Sequence, residues 1–457
     1  MYMTNKYNRA LLTGVLSAAL FVSVQAQDIV PTPLKAERAA TSSDTLFADT
    51  VYIDTLSSQN LSYSWDERVK LALDQFAREA DRAPYYAGIS VWDLTADSFL
   101  WGYNSQKVMR PASTQKVLTA ISALSIIGAQ HEIKTRTYYT GSIAEDGTLS
   151  GDLYVVGDFD PMYSHADLKE LARAIRDAGI QRISGKIYGD ASMKNADLYG
   201  NGWCWDDVPS KYQPYHCALM VERGREYPNF GSYSKSASFH PAAHFVYALG
   251  QELKNLGITG VSAAVVPYGT KDYPGGGTLC HTKTRTIEQV LQRMLKNSDN
   301  YHAEAVFYQL AHAAKSKNCS WKDGAQQVES VIRKAGASTV SLEVADGSGV
   351  SLYNYVTPDI EVALLRYAYK NPSIYQPFYA ALPIAGVDGT LDERMKTGNA
   401  YRNVHAKTGT VEGVSALAGY VTASNGHLLA FSIIVNGTLT SKVARDYQDR
   451  FCQALAQ

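Results

Sequence analysis

The chain has 457 residues, 43 of them basic and 44 acidic, for a formal net charge of -1. Two or three domains fit in that length. The balanced charge, with no basic run, excludes nucleic acid or an anionic membrane surface as the main partner.

The N-terminus reads as an export signal. Lys6 and Arg9 precede a largely apolar run, Ala10 to Val24, which is short for a membrane span. Val24-Gln25-Ala26 places small residues for cleavage after Ala26. Residues 1–26 are therefore expected to be a signal peptide. No cysteine follows to carry a lipid, and no later run is long enough to span a bilayer. The mature chain is expected to be exported without a transmembrane anchor. Residues 27–60 are polar and read as a flexible leader.

The spacing of Val69, Ala72, Phe76 and Ala77 predicts a helix from Ser64 to about Asp81. Tyr86–Leu94 and Ser98–Tyr103 read as a hairpin. It leads into Arg110-Pro111-Ala112-Ser113-Thr114-Gln115-Lys116 and an uncharged run to Ile127. That run predicts a helix buried on nearly all sides, with Pro111 at its start. Ser113 and Lys116 are three residues apart and share a helix face. Burial lowers a lysine pKa, so Lys116 is suited to act as a base toward the Ser113 hydroxyl. Ser232-Tyr233-Ser234-Lys235 repeats the spacing in a polar run and reads as a chance match.

Beyond the helix, Lys134–Tyr139, Leu149–Val156 and Ile183–Tyr188 are strand-like, with a turn at Gly157-Asp158-Phe159-Asp160-Pro161. Leu168–Ala178 and Pro241–Leu256 read as helices. Gly200–Lys235 has no clear period, and Gly275-Gly276-Gly277 marks a boundary. Residues 131–280 read as an inserted region. Five cysteines (Cys204, Cys217, Cys280, Cys319, Cys452) leave one thiol over in an exported chain. Cys204 and Cys217 are the nearest candidates for a disulfide, and five reduced cysteines are the alternative. Histidine and cysteine spacings match no metal site, and no cofactor is expected.

Helices are predicted at Thr286–Lys296 and Ala303–Ala314, flanking Ser298-Asp299-Asn300. That turn offers a hydroxyl to relay a proton and a carboxamide to hold an amide. Thr357 with Pro358 marks another helix start. Asn403–Thr410, Val414–Val421 and His427–Val435 read as strands joined by hairpins at Gly413 and Asn425-Gly426. Lys407-Thr408-Gly409 lies on the first of them, with positive charge, a hydroxyl, and a glycine that admits a substrate backbone. Lys396-Thr397-Gly398 repeats the pattern, but Gly398 reads as a helix C-cap. A helix from Ser441 to Leu455 closes the chain. The hairpin at 86–103 and the C-terminal strands are expected to form one antiparallel sheet covered by helices.

Ser-x-x-Lys, Ser-x-Asn and Lys-Thr-Gly in this order form the serine acyl-transfer set of penicillin-recognising enzymes. With Gly202-Trp203-Cys204-Trp205-Asp206-Asp207, Asp346-Gly347-Ser348-Gly349 and Ala418-Gly419-Tyr420, the chain resembles the D-alanyl-D-alanine carboxypeptidase/endopeptidases of the class C low-molecular-mass penicillin-binding proteins, the peptidase S13 family. The resemblance implies an α/β (α+β) fold, with a transpeptidase-like domain formed by 61–130 and 281–457. It also implies two smaller domains inserted at 131–280, between the first and second motifs. It implies a periplasmic enzyme acting on peptidoglycan stem peptides, with β-lactams as covalent inhibitors. Ser113, Lys116 and Ser298 are then catalytic. Asn300, Lys407, Thr408, Gly409 and Thr410 bind substrate, and the N–H groups of Ser113 and Thr410 form the oxyanion hole. Asp160 matches an aspartate that faces the diamino-acid side chain of the substrate. The family's partner arginine is absent, because Leu352 stands in its place. One rival is a β-lactamase, disfavoured by the insertion and by the lack of a Glu-x-x-Leu-Asn segment. Another is a penicillin-acylated sensor or peptidoglycan-binding scaffold without turnover.

Overall fold

A computed structural model describes residues 63–207, 210, 212–225 and 238–457. The signal peptide and leader at 1–60, and the Ser232 to Lys235 repeat, lie outside the described residues.

The first helix, α1 (Trp65–Arg82), opens on a capping box: Ser64 Oγ accepts from Glu67 N, and the Glu67 carboxylate accepts from Ser64 N. Such a cap contributes about 1 kcal/mol. Then come β1 (Tyr86–Asp93), β2 (Ser98–Tyr103) and α2 (Gln115–Ile126). At the far end of the chain stand β11 (His405–Val411), β12 (Val414–Thr422), β13 (Leu428–Asn436) and the closing helix Ser441–Leu455. These strands form one antiparallel sheet in the order β11-β12-β13-β1-β2. The expected sheet is therefore present, and β11 is one of its edges. Alternate residues of β12 serve two cores. Ala416, Ala418 and Tyr420 face the central helices, while Leu417 and Val421 face α1 and the C-terminal helix.

The chain between α2 and residue 287 builds two further sheets. The larger joins β3 (Glu132–Tyr139), β6 (Leu153–Val156), β8 (Ile187–Asp190), β9 (Val265–Thr270) and β10 (Thr278–Thr286) in the order β10-β3-β6-β8-β9. The smaller joins β4 (Ser142–Ile143), β5 (Thr148–Ser150) and β7 (Arg182–Ile183). Leu153, Val155 and Ile187 pack on α3 (His165–Asp177) and α4 (Pro241–Asn255). The single strands expected at Leu149–Val156 and Ile183–Tyr188 are each split between the two sheets. Gly151 and Gly185 mark the splits. A Cβ on Gly151 would lie 1.9 Å from Thr140 O, and one on Gly185 2.1 Å from Gly151 O. The backbones cross there too closely for any side chain. Strand β10, beyond the three glycines, pairs with β3 and delivers the chain to Thr286, the N-cap of α5 (Ile287–Lys296).

Next come α6 (Asn300–Ala314), α7 (Trp321–Lys334), α8 (Pro358–Tyr369) and α9 (Pro372–Ala381), with Thr357 capping α8 through Ile360 N. Sequence reading did not find α7 or α9. Helices α5 to α9 all pack on α2, and residues 115–124 are buried without exception. The uncharged run after Lys116 is thus explained: α2 is the axis of the helical layer. No α-helix leads into Gly398, which sits at a bend with φ +75° several residues after the short 3-10 turn Gly389–Leu391. The expected C-cap there is corrected to a bend glycine. All five cysteines are free thiols, so the Cys204–Cys217 pair is not formed.

Candidate active site

Ser113 does not lie in the α-helix itself. It occupies a short 3-10 turn, Ala112–Thr114, ahead of α2. Ala112 is left-handed at φ +48°, a strained state for a residue with a Cβ. Two glycines let the neighbouring chains press on this turn. A Cβ at Gly349 would meet Ala112 O at 1.8 Å, and one at Gly409 would meet Pro111 O at 2.7 Å and Ser113 N at 3.1 Å. Thr114 Oγ1 donates to Pro111 O at 2.8 Å and closes the turn. The result holds Ser113, only 8% exposed, between the Asp346–Gly349 loop and edge strand β11.

Lys116 is fully buried and stands where three elements meet. Its Nζ lies 2.8 Å from Ser113 Oγ, 2.8 Å from Asn300 Oδ1 and 2.7 Å from Ser348 O. Two of these partners, an amide oxygen and a backbone carbonyl, only accept. A neutral amine spends its two N–H groups on them and turns its lone pair to the Ser113 hydroxyl. Burial lowers the Lys116 pKa to about 8, against the opposing fields of Asp346, Glu304 and Asp299. A general base is well placed near that value.

The Ser348 carbonyl is aimed from behind. Glu304, one turn beyond Asn300 on α6, accepts from Gly347 N and Ser348 N at 3.3 and 2.9 Å. Burial, reinforced by the nearby Asp346 charge, raises its pKa to about 8. Asp346 accepts from Gly349 N and Ser351 N, each at 2.7 Å, and from Asn354 Nδ2 at 2.8 Å.

A second lysine enters from β11. Lys407 is fully buried, and its Nζ donates to Ser298 Oγ at 2.9 Å and Thr408 O at 2.6 Å. Burial and the charge of Lys116 both push it well below the ordinary lysine value. Ser298 is held left-handed at φ +56°, and Asp299 caps α6 by accepting from His302 N. Thr408 Oγ1 lies 2.7 Å from Thr390 Oγ1. Thr410 is exposed at the sheet edge.

Ser113, Lys116, Ser298, Asn300, Lys407, Thr408, Gly409 and Thr410 therefore converge on one turn, one helix start and one edge strand. Asp160 lies in the inserted region, on the turn that follows β6. Its side chain is 1% exposed, 3.6 Å from Arg285 Nε, and it accepts from Met162 N at 2.8 Å. Burial raises its pKa to about 6. Sequence reading also missed Glu304. The clue was there: one charged residue in the otherwise uncharged stretch Ala303 to Leu310, four positions after Asn300. Among the described residues, no group of acidic, histidine and cysteine side chains is arranged to hold a metal, and no helix is long and apolar enough to cross a membrane.

Known proteins share this arrangement's framework. A D-alanyl-D-alanine carboxypeptidase DacB from Haemophilus influenzae is 27% identical over 438 residues, covering 78% of this chain and 90% of the relative. A D-alanyl-D-alanine carboxypeptidase from Actinomadura sp. is 29% identical over 424 residues, covering 77% and 78%. The crystal structure of penicillin binding protein 4 (dacB) from Haemophilus influenzae superposes with a TM-score of 0.72 at 24% identity, over 84% of this chain and 98% of that one. It shows the same fold. The sequence model of the D-Ala-D-Ala carboxypeptidase 3 (S13) family matches residues 69–236 and 231–457. The chain belongs to that family.

Proposed function

We propose that this protein is a serine-type D-Ala-D-Ala carboxypeptidase/endopeptidase acting on peptidoglycan stem peptides through an acyl-enzyme at Ser113. One observation carries the reading. Lys116 Nζ touches the Ser113 hydroxyl while two fixed acceptors hold its remaining hydrogens. The Ser113 proton passes to Lys116 as Oγ attacks the carbonyl between the two D-alanines. The N–H groups of Ser113 and Thr410 take the oxyanion. The C–N bond breaks, and the proton reaches the leaving amine through Ser298, which Lys407 orients. Asn300 holds the substrate amide, while Lys407 and Thr408 bind the terminal carboxylate. Gly409 lets the substrate backbone lie along edge strand β11. Water then enters, takes the acyl group from Ser113, and returns the hydroxyl its proton. A β-lactam acylates the same oxygen and stays.

Residues 61–130 and 281–457 make up the catalytic domain in this reading, and 131–280 the inserted domains. The N-terminal 26 residues direct export to the periplasm. The test is release of D-alanine from a stem-peptide analogue ending in D-Ala-D-Ala. Wild type releases it and Ser113→Ala, still folded, does not. Equal release by both overturns the proposal.

A further inference from the structure

The inserted region sends two side chains into the loops that hold Lys116. The first is Arg223. Its guanidinium pairs with Asp299, the residue between Ser298 and Asn300. Both side chains are largely out of water, 17% and 8% exposed, so the pair is only weakly screened. The backbone that presents Arg223 is strained. Glu222, Arg223 and Gly224 are successively left-handed, at φ +47°, +58° and +75°. Two non-glycine residues in that region cost conformational energy, and such strain persists only where surroundings impose it. Here they do. Glu222 accepts from His165 N at the start of α3 and from Arg225, and Val221 is buried in the inserted core. On the other side of the pair, Ser298 is also left-handed. Asp299 is shared further, accepting from Arg293 Nε at 2.9 Å and from His302 N at 3.2 Å.

The second is Trp203. Its indole N–H donates to Asp346 Oδ2 at 2.9 Å. Asp346 organises the loop whose Ser348 carbonyl meets Lys116. The ring is braced edge-on against the buried His216, 4.5 Å between centroids. Gly202 lets it approach: a Cβ there would stand 2.5 Å from Ser351 Oγ.

We propose that Arg223 and Trp203 are positioning residues for acyl transfer, so that the inserted region completes the catalytic centre rather than standing beside it. Arg223 fixes the loop of Ser298 and Asn300, and Trp203 fixes the loop of Ser348. Together they set two of the three contacts of the Lys116 amine. This rests on Ser113 and Lys116 being nucleophile and base.

The experiment measures acylation of the full chain by a fluorescent penicillin in stopped flow, separating the pre-covalent dissociation constant from the acylation rate constant. Variants are Arg223→Gln, Arg223→Lys, Trp203→Phe, Asp299→Asn and the double Arg223→Gln/Asp299→Asn. Loss of sub-ångström placement costs about tenfold to a hundredfold in the rate constant. That loss is expected in Arg223→Gln and Trp203→Phe, with the dissociation constant little changed. Arg223→Lys restores part of the rate. The double variant falls short of the product of its singles, because the two residues act as a pair. The pH profile gives a readout that a merely structural role would not move. Removing the Arg223 charge leaves the Asp299 carboxylate less neutralised, which favours protonated Lys116. The rising limb of the rate therefore moves to higher pH.

Wild-type acylation rates and an unshifted profile in both Arg223→Gln and Trp203→Phe overturn the inference. If one variant fails to fold, Arg223→Lys or the other site still decides. A wild type that penicillin never acylates at Ser113 overturns the reading of the site itself, a distinguishable result.

Discussion

Lys407 Nζ lies 2.9 Å from Ser298 Oγ, in the same buried site as Lys116. Two lysines buried in one site oppose each other's charge. The cost falls on Lys407, whose pKa is pushed well below the ordinary value by burial and then by Lys116. An arriving carboxylate reverses that balance, since an opposite charge at close range favours the ammonium. Ligand binding is therefore expected to take up a proton where Lys407 is otherwise neutral. Titration calorimetry of a D-Ala-D-Ala peptide into Ser113→Ala, in buffers of different ionisation enthalpy, measures it. The observed enthalpy varies with the buffer, and adding Lys407→Ala removes the dependence. A buffer-independent enthalpy contradicts the assignment.

Lys116 sets the pH dependence of acylation. The neutral amine is the base, so the rate constant rises as pH passes about 8, the value to which burial lowers it. Stability follows the same group. The unfolded lysine holds its proton to 10.5 while the folded one gives it up near 8. Between those values the unfolded state binds more protons, so stability rises with pH. Full charge below pH 8 costs the fold on the order of 3 kcal/mol. Urea unfolding of wild type and Lys116→Met across this window checks it. The difference between them shifts in favour of wild type as pH rises. A constant difference contradicts the argument.

Glu304 gives a prediction of opposite direction. Its field helps keep Lys116 protonated. Glu304→Gln removes that field, so the rising limb of the rate moves to lower pH. The amide also presents N–H to one of the two backbone donors at Gly347 and Ser348. The plateau rate therefore falls by about tenfold or more as the Ser348 carbonyl loses its aim. A limb that stays in place, or moves upward, contradicts the electrostatic part.

Gly349 and Gly409 separate strain from function. Gly349→Ala meets Ala112 O at 1.8 Å on a backbone at φ +84°, so it should destabilise the fold by about 1–3 kcal/mol or more. Gly409→Ala meets softer limits, 2.7 Å to Pro111 O and 3.1 Å to Ser113 N. It should stay folded but lose acylation by displacing the nucleophile or blocking edge strand β11. Thermal melts and acylation rates distinguish the two. Equal effects in both assays contradict the distinction.

Much of the site was legible because its residues announce themselves locally. Ser113 and Lys116 stand before an uncharged helix, and Lys407 lies on an alternating strand. The central sheet followed from the hairpin at 86–103 and the strands after 403, whose periods are clean. The inserted region was read less well. Its strands are short, and Gly151 and Gly185 pass the chain between two sheets inside what reads as one run. The site contacts of Trp203, Arg223 and Glu304 were not legible either. Each acts on a partner tens to more than a hundred residues away, through loops whose conformation no periodicity encodes. The pairing of Asp160 with Arg285, 3.6 Å apart and more than a hundred residues away in sequence, was likewise beyond any local pattern.

The central claim is that Ser113 is the acylated nucleophile of a site completed by Lys116. Intact mass spectrometry after incubation with benzylpenicillin, followed by peptide mapping, tests it most directly. The predicted result is one persistent adduct with the mass of the whole drug, mapped to Ser113 and absent from Ser113→Ala. An adduct on another residue, or none from folded wild-type protein, contradicts it.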